Sequence, residues 1–175
     1  MVVHKGKTIF VGDTSVHEYP TSEQMAEIAI STARVVRLFG FEPKVAFVSH
    51  STFGQPLTSR TKHIRKAVDI LKEKKVDFEF DGDMQPDVAL NSEYEELYPF
   101  SKIVGKANIL IMPGQHSAAI SYKMMKTLGD TKVIGPLLIG LGLPIEIAPL
   151  RSSISELINL ASVAAYSADV IDYKK

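Results

Sequence analysis

Two patterns of apolar and polar positions alternate along the chain, and they predict strands and helices in turn. Short apolar runs are typical of buried strands, whereas apolar residues three and four positions apart are typical of amphipathic helices. Strands are predicted at residues 8–11, 44–48, 77–80, 108–112 and 133–138. Helices are predicted at residues 19–40, 61–74, 117–128 and 152–168. The polar stretch 83–106 contains two prolines and predicts a loop with one short helix.

Capping residues mark the ends of two predicted helices. Thr21 is suited to cap the first helix, and Gln24, three residues later, completes a capping box. Gly40 is suited to end the same helix. Either Ser152 or Ser153 is suited to cap the last helix.

The alternation of strands and helices predicts an α/β fold, a three-layer lobe with a mainly parallel sheet. Residues 8–151 are expected to form this lobe, and residues 1–7 to be a tail or an added start. Residues 152–175 are expected to form a C-terminal helix that packs on a partner lobe or subunit. In such folds ligands bind beyond the carboxyl ends of strands. The segments that follow predicted strand ends are residues 49–60, 113–119 and 135–151.

Composition narrows the class of protein. Apolar residues make up 45% of the chain and charged residues 23%, so the chain can bury a real core. The formal net charge is zero, which argues against a nucleic-acid partner. Cysteine is absent, which excludes disulfides and thiolate catalysis. No apolar run is long enough for a membrane span and no signal peptide is visible, so we expect a cytoplasmic location and no membrane partner.

The loop after the second predicted strand has the residues of an anion site. Hydroxyl and backbone N–H groups can donate to phosphate, a helix N-terminus adds a positive dipole, and arginines bind phosphate with paired donors. The alternative is an ordinary polar loop that leads to a solvated basic helix face. No Walker motif or GxGxxG is present. The candidate anion ligands are Ser49, Ser51, Thr52, Arg60 and Arg65.

Histidines and acidic residues give weaker signals. His50 and His63 lie in or near the basic loop, and His116 could contact a ligand or simply be solvated. The sequence Asp-Gly-Asp at 81–83, with Asp87, is consistent either with a cation site or with a polar turn at a strand end. No HExxH pattern exists, so we expect no metal site.

Four longer motifs together resemble the phosphate acetyl/butyryl transferase family, whose phosphotransacetylases move an acetyl group between coenzyme A and phosphate. They occur in family order and spacing over residues 8–170, and read "VAFVSHSTFG", "FDGDMQPDVAL", "GKANILIMPGQHSAAISYKMM" and "IGPLLIGLGLPI". The resemblance implies one lobe of a phosphotransacetylase-like fold, of the isocitrate/isopropylmalate dehydrogenase type. It also implies that Tyr122 and Lys123 contact ligand, although the Tyr122 ring could equally pack within a helix.

The positions of the family's catalytic groups depart from the pattern. Active members carry a serine, an arginine and an aspartate that fall here on Pro149, Leu150 and Glu156. Proline has no hydroxyl, leucine cannot stabilise developing negative charge, and losing one such donor costs about 10²–10³ in rate. A shift of one residue would bring Arg151 to the arginine position, which makes it a further ligand-binding candidate.

The strings "DTSVHEYPTSEQMAEIA" and "FGFEPKVAFVSHSTFG" resemble the C-terminal domain of large bacterial NADP-dependent malic enzymes. This resemblance implies a non-catalytic domain that senses acetyl-CoA as an effector and supports a homodimer or higher oligomer. It implies no cofactor in this chain, because NADP and a divalent metal would belong to the malic enzyme region, itself a partner of this domain.

Three functions remain open at the level of sequence. They are a regulatory domain that binds acetyl-CoA or a related phosphorylated molecule, a working phosphate acetyltransferase, and a purely structural oligomerisation domain. The last predicted helix is apolar over a broad arc, which suits an interface between subunits or packing on its own sheet.

Overall fold

A computed structural model gives the structure of the protein for residues 1–141 and 143–170. The strands are β1 (Val2–His4), β2 (Lys7–Gly12), β3 (Lys44–Val48), β4 (Glu79–Met84), β5 (Ile109–Ile111) and β6 (Thr131–Val133). The helices are α1 (Ser22–Leu38), α2 (Ser59–Lys74), α3 (Pro86–Leu90), α4 (Gln115–Leu128) and α5 (Ile154–Val170), with a 3₁₀ helix at Ser92–Glu95. Residues 171–175 of the predicted C-terminal segment lie outside the described residues.

Six strands form one sheet in the order β4-β3-β5-β2-β1-β6. Strands β4, β3, β5 and β2 are parallel. Strand β1 is antiparallel to both of its neighbours, β2 and β6. The predicted α/β fold with a mainly parallel sheet is therefore confirmed.

The first residues of the chain form part of the sheet, where the sequence suggested a tail. Val2 pairs with Ile9 of β2 and with Val133 of β6, and its side chain is buried. Lys5 and Gly6 connect β1 to β2 and both have positive φ, which is the backbone of a two-residue hairpin turn. The remaining boundary, between the lobe and residues 152–175, stays a prediction.

The two faces of the sheet carry separate apolar clusters. One cluster joins the sheet to α1 and α2, with Met25, Phe47 and Leu71 fully buried. The other joins the opposite face to α3 and α4, around Val48 and Leu110. Helices therefore cover both faces of the parallel part of the sheet.

Caps fix the helices much as the sequence predicts. Thr21 accepts a hydrogen bond from the N–H of Gln24, and the Gln24 side chain accepts one from the N–H of Thr21. Ser153 forms the corresponding box with Glu156 at the start of α5. Helix α2 starts at Ser59, two residues before the predicted start, because Thr58 caps it and forms a second capping box with Thr61.

Two strands differ from their predicted positions. Strand β4 was predicted to end before the Asp-Gly-Asp sequence, but it runs through it, because both buried aspartates find hydrogen-bond donors. Strand β6 lies at Thr131–Val133 and not at residues 133–138, because only the earlier residues pair with β1.

Helix α5 is attached to the lobe at few points. Leu160 and Val163 are its buried residues, the Tyr166 ring stacks on Phe39, and the Tyr166 hydroxyl donates to the carbonyl of Leu38. Most of the other apolar side chains of α5 are exposed. Among the described residues, no helix combines the length and the apolar character needed to cross a membrane.

Candidate functional site

The carboxyl ends of β2, β3, β4 and β5 meet at one edge of the sheet because these strands are parallel. The segment that follows β3 folds into a tight turn at residues 49–55. Thr52 and Gln55 exchange both backbone hydrogen bonds, at 3.4 and 3.1 Å. The Ser49 N–H donates to the Met84 carbonyl at 2.9 Å, and the Gln85 N–H donates to the Thr52 hydroxyl at 3.2 Å. The 49–55 turn is thus fastened to the end of β4.

A fully buried carboxylate, Asp83, lies beneath this turn. Its Oδ2 accepts hydrogen bonds from the Ser51 hydroxyl and, at 3.3 Å, from the Gly54 N–H. The other oxygen, Oδ1, has no hydrogen-bond partner among the described residues. Two donors of the turn, the Ser51 hydroxyl and the Gly54 N–H, are therefore already engaged by this carboxylate.

The second aspartate of β4 holds a different loop. Asp81 accepts from the N–H of Lys102 at 2.8 Å and from the N–H of Gly82 at 2.9 Å. The Asp-Gly-Asp sequence is therefore neither the cation site nor the strand-end turn considered from sequence. Within the described residues, no cluster of acidic and histidine side chains is suited to hold a metal ion.

The predicted anion ligands divide into two groups. Ser49, Ser51 and Thr52 are brought together but are buried, with 7%, 0% and 8% of their surface exposed, and each hydroxyl takes part in a hydrogen bond within the protein. Arg60 and Arg65 are exposed on α2. Among the described residues, neither arginine is recorded in a salt bridge. The two arginines thus contribute positive charge to the exposed face of α2.

Arg65 stands directly over the turn. A Cβ added to Gly54 would lie 2.5 Å from the Arg65 Nη1 atom, so the guanidinium packs where a side chain would otherwise be. Gly54 has φ of +81°, a conformation that glycine adopts without strain. The first turn of α2 has no acidic residue, so its N-terminal dipole and the arginines combine to favour an anion.

An Asp–His pair after β2 was missed by sequence reasoning. The Asp13 carboxylate accepts from the N–H groups of Val16 at 2.8 Å and His17 at 3.0 Å, and it also pairs with His17 Nδ1. The pair lines a cleft of about 770 Å³, which Tyr122 also lines. The Asp–x–x–x–His spacing was visible in the sequence, but nothing there indicated that both side chains would turn toward each other.

Other residues singled out from sequence lie in structural contacts. His63 contacts the Ser22 hydroxyl at 3.0 Å and the Pro20 carbonyl at 2.9 Å, and so links α2 to the start of α1. His116 stacks on Tyr19 with ring centroids 6.2 Å apart. His50 and Lys123 are exposed, the latter with its ammonium 6.0 Å from the Tyr122 ring centre.

The segment at the family's catalytic positions is exposed. The Pro149 carbonyl accepts from Ser152, while the side chains of Leu150 and Arg151 face solvent. Glu156 caps α5 and pairs with Lys126 at 2.5 Å, and this partner holds the pKa of Glu156 down at about 2. No hydrogen bond joins residues 149–151 to the 49–55 turn in the part of the chain that the structure describes.

Comparison with known proteins adds to this geometry. The family model described as phosphate acetyl/butaryl transferase matches residues 1–165. An NADP-dependent malic enzyme of Rhizobium meliloti is 49% identical over 164 residues, which are 94% of this chain and 22% of that enzyme. A phosphate acetyltransferase of Bacillus subtilis is 34% identical over 169 residues, 95% of this chain and 52% of the relative.

Solved structures agree with the sequence comparison. The EutD phosphotransacetylase from Staphylococcus aureus matches with a TM-score of 0.86 and 29% identity, and the match covers 95% of this chain and 52% of that one. The chain therefore spans about half of these two acetyltransferases and about a fifth of the malic enzyme. The resemblance inferred from the four motifs is confirmed.

Proposed function

Since this chain belongs to the phosphate acetyl/butaryl transferase family, we propose that it is a non-catalytic, acetyl-CoA-binding domain of an NADP-dependent malic enzyme. The proposal has three parts: binding of a coenzyme A ester, absence of acyl transfer, and coupling to the region that would oxidise and decarboxylate malate. NADP and a divalent metal would be held by that other region and not by this chain.

The pair of arginines at the carboxyl edge carries the binding part of the proposal. The phosphates of acetyl-CoA are anions, and Arg60 and Arg65 are guanidiniums that no described carboxylate neutralises. A guanidinium binds phosphate with two parallel hydrogen bonds. Because Asp83 already occupies Ser51 and Gly54, we assign the phosphates to the arginines first and to the turn hydroxyls second.

The residues at positions 149 and 150 support the absence of acyl transfer. Pro149 offers only a carbonyl, which Ser152 already occupies, and the Leu150 side chain has no polar atom. Binding can persist without such groups because affinity needs charge and shape, whereas turnover needs groups that stabilise the transition state. Tyr122, Lys123 and Arg151 remain as further candidate contacts, on α4 and on the loop before α5.

Regulation requires that acetyl-CoA bind two states of the whole enzyme with different affinity, typically by about 1–3 kcal/mol of coupling. Helix α5 offers a surface through which a change could reach another subunit, because Ile154, Leu157 and Ile158 are exposed. That exposure also favours the second candidate function, a purely structural oligomerisation domain. The two functions differ in ligand binding, which can be measured directly.

Calorimetric titration of the chain with acetyl-CoA tests the proposal, with free coenzyme A and inorganic phosphate as reference ligands. Arg60→Ala and Arg65→Ala should each weaken binding by about 10- to 100-fold, the usual worth of a hydrogen bond to a charged group. Lys72→Ala is the matched control, since Lys72 lies on the same helix but pairs with Asp69. That variant should bind as the parent does.

Two results would contradict the proposal. Absence of any binding to the folded chain would leave the structural oligomerisation domain. Release of acetyl phosphate from acetyl-CoA and phosphate at a rate typical of an acetyltransferase would show that the chain is catalytic after all.

A further inference from the structure

Three aromatic rings form a partly exposed cluster beside the 49–55 turn. We call Phe53, Tyr98 and Phe100 the aromatic cluster. The Phe53 ring centre lies 5.4 Å from that of Tyr98 and 4.8 Å from that of Phe100, and the last two are 6.1 Å apart. Phe100 has 63% of its surface exposed, although it is fully apolar. A solvent-exposed apolar ring beside two other rings offers a surface on which a flat ligand can stack.

The aromatic cluster and the Arg65 guanidinium both contact the 49–55 turn, at two consecutive residues. Phe53 belongs to the cluster, and the next residue, Gly54, carries the Arg65 guanidinium. Consecutive Cα atoms are about 3.8 Å apart, so the aromatic cluster and the Arg65 guanidinium both border the 49–55 turn. The aromatic rings are complementary to a base, and the guanidinium is complementary to a phosphate.

Strand β4 fixes both halves of the aromatic cluster. Asp83 holds the turn that contains Phe53, whose own N–H donates to the Asp83 carbonyl at 2.6 Å. Asp81 holds the N–H of Lys102, two residues after Phe100. Both attachments come from one buried strand, so the rings are positioned before a ligand arrives. A prepositioned surface loses little conformational freedom on binding.

From these contacts we infer that the aromatic cluster is a stacking platform for the base of an adenine nucleotide whose phosphate is held by Arg65. The inference rests on the proposed function, in which the ligand is a coenzyme A ester, and it assigns the nucleotide end of that ligand to Phe53 and Phe100. Base stacking on aromatic side chains tolerates a variety of bases, because every base presents a flat π face.

The test uses ligands that separate base from phosphate. Adenosine 3′,5′-bisphosphate carries both, whereas pyrophosphate carries charge alone. Phe100→Ala should weaken binding of the bisphosphate and of acetyl-CoA by about 5- to 100-fold, the range for one base stacked on one ring. It should leave pyrophosphate binding unchanged, and Phe100→Tyr, which keeps the ring, should restore binding. Phe41→Ala is the control, because Phe41 is an exposed phenylalanine that packs on Phe10 instead.

A spectroscopic readout separates stacking from a structural effect. The chain has no tryptophan, so Phe100→Trp introduces a single indole into the aromatic cluster. Its fluorescence should be quenched by adenosine 3′,5′-bisphosphate and not by pyrophosphate. Circular dichroism of each variant confirms that the fold is kept.

The outcomes distinguish the two proposals. If acetyl-CoA binds the parent chain and Phe100→Ala binds it equally well, the stacking inference is overturned and the proposed function stands. The same holds if the tryptophan signal does not respond to the bisphosphate while acetyl-CoA binds. If acetyl-CoA binds neither protein, both proposals fail together.

Discussion

Gly82 is the position at which one added methyl group should cost the most stability. It lies between the two buried aspartates of β4 and has φ of +145°, which L side chains rarely adopt. A Cβ there would lie 2.7 Å from the Phe47 carbonyl oxygen and 2.8 Å from the Phe47 Cβ. These atoms belong to the neighbouring strand β3, so they cannot move aside without shifting the sheet.

The expected cost of Gly82→Ala has two components. Forcing extra atoms into a packed interior typically costs about 1–3 kcal/mol. Holding a residue other than glycine in a rare backbone conformation costs about 1–3 kcal/mol more. The free energy of unfolding should therefore fall by roughly 2–6 kcal/mol, a large share of the 5–15 kcal/mol of an ordinary domain.

Urea unfolding followed by circular dichroism measures this loss, and two glycines serve as controls. Gly40 has φ of +80° with no atom within 4 Å of an added Cβ, so Gly40→Ala should show only the cost of a left-handed backbone, about 1–2 kcal/mol. At Gly12 the added Cβ would meet the Ile111 Cδ1 atom at 2.7 Å, so Gly12→Ala tests crowding by a movable side chain. A loss for Gly82→Ala no greater than that for Gly40→Ala would refute the reasoning.

Three further predictions concern other contacts of the lobe. Ser51→Ala removes a donor from the buried Asp83 carboxylate and should lower the free energy of unfolding by about 1–3 kcal/mol, measured by urea titration. The pKa of Glu156 is lowered from 4.5 to about 2 by Lys126, so the stability from this pair is complete above pH 4.5 and is lost as the pH falls toward 2. Thermal melts over that range should depend less on pH in Glu156→Gln than in the parent, and the dependence that remains includes Glu23, whose pKa is lowered to about 2 by Lys66. Leu160→Ala truncates a side chain that is 5% exposed and should cost about 2–5 kcal/mol if α5 unfolds with the lobe, whereas an unchanged melt would show that it does not.

Amphipathic helices with local caps could be predicted from the sequence. The Thr21 box and the end of α2 at Lys74 depend on residues close in sequence, and the structure agrees with both. The end of strand β4 is harder to predict from the sequence, because Asp81 and Asp83 interrupt its apolar pattern. Their burial is compensated by donors that come from residues 51 and 102, far along the chain. Pattern alone cannot supply such partners.

The candidate site also depends on contacts between residues far apart in the sequence, which the pattern of residues does not predict. The sequence brought hydroxyls and arginines into one segment, but it could not indicate which hydroxyls the protein uses internally. Ser51 is 32 residues from the carboxylate that it contacts. The cluster of Phe53 with Tyr98 and Phe100 likewise joins two loops that no local spacing connects. Long-range packing therefore decides which predicted ligands remain available.

The thin attachment of α5 has a consequence for amide hydrogen exchange. Helices with few buried apolar contacts open by local fluctuations that cost much less than global unfolding. Because Leu160 and Val163 are the buried residues of α5, its amides should exchange well before those of α1, which buries seven residues. A ligand at the sheet edge should slow exchange near residues 49–58. Protection of α5 that rises with protein concentration would instead report a second copy covering its exposed face.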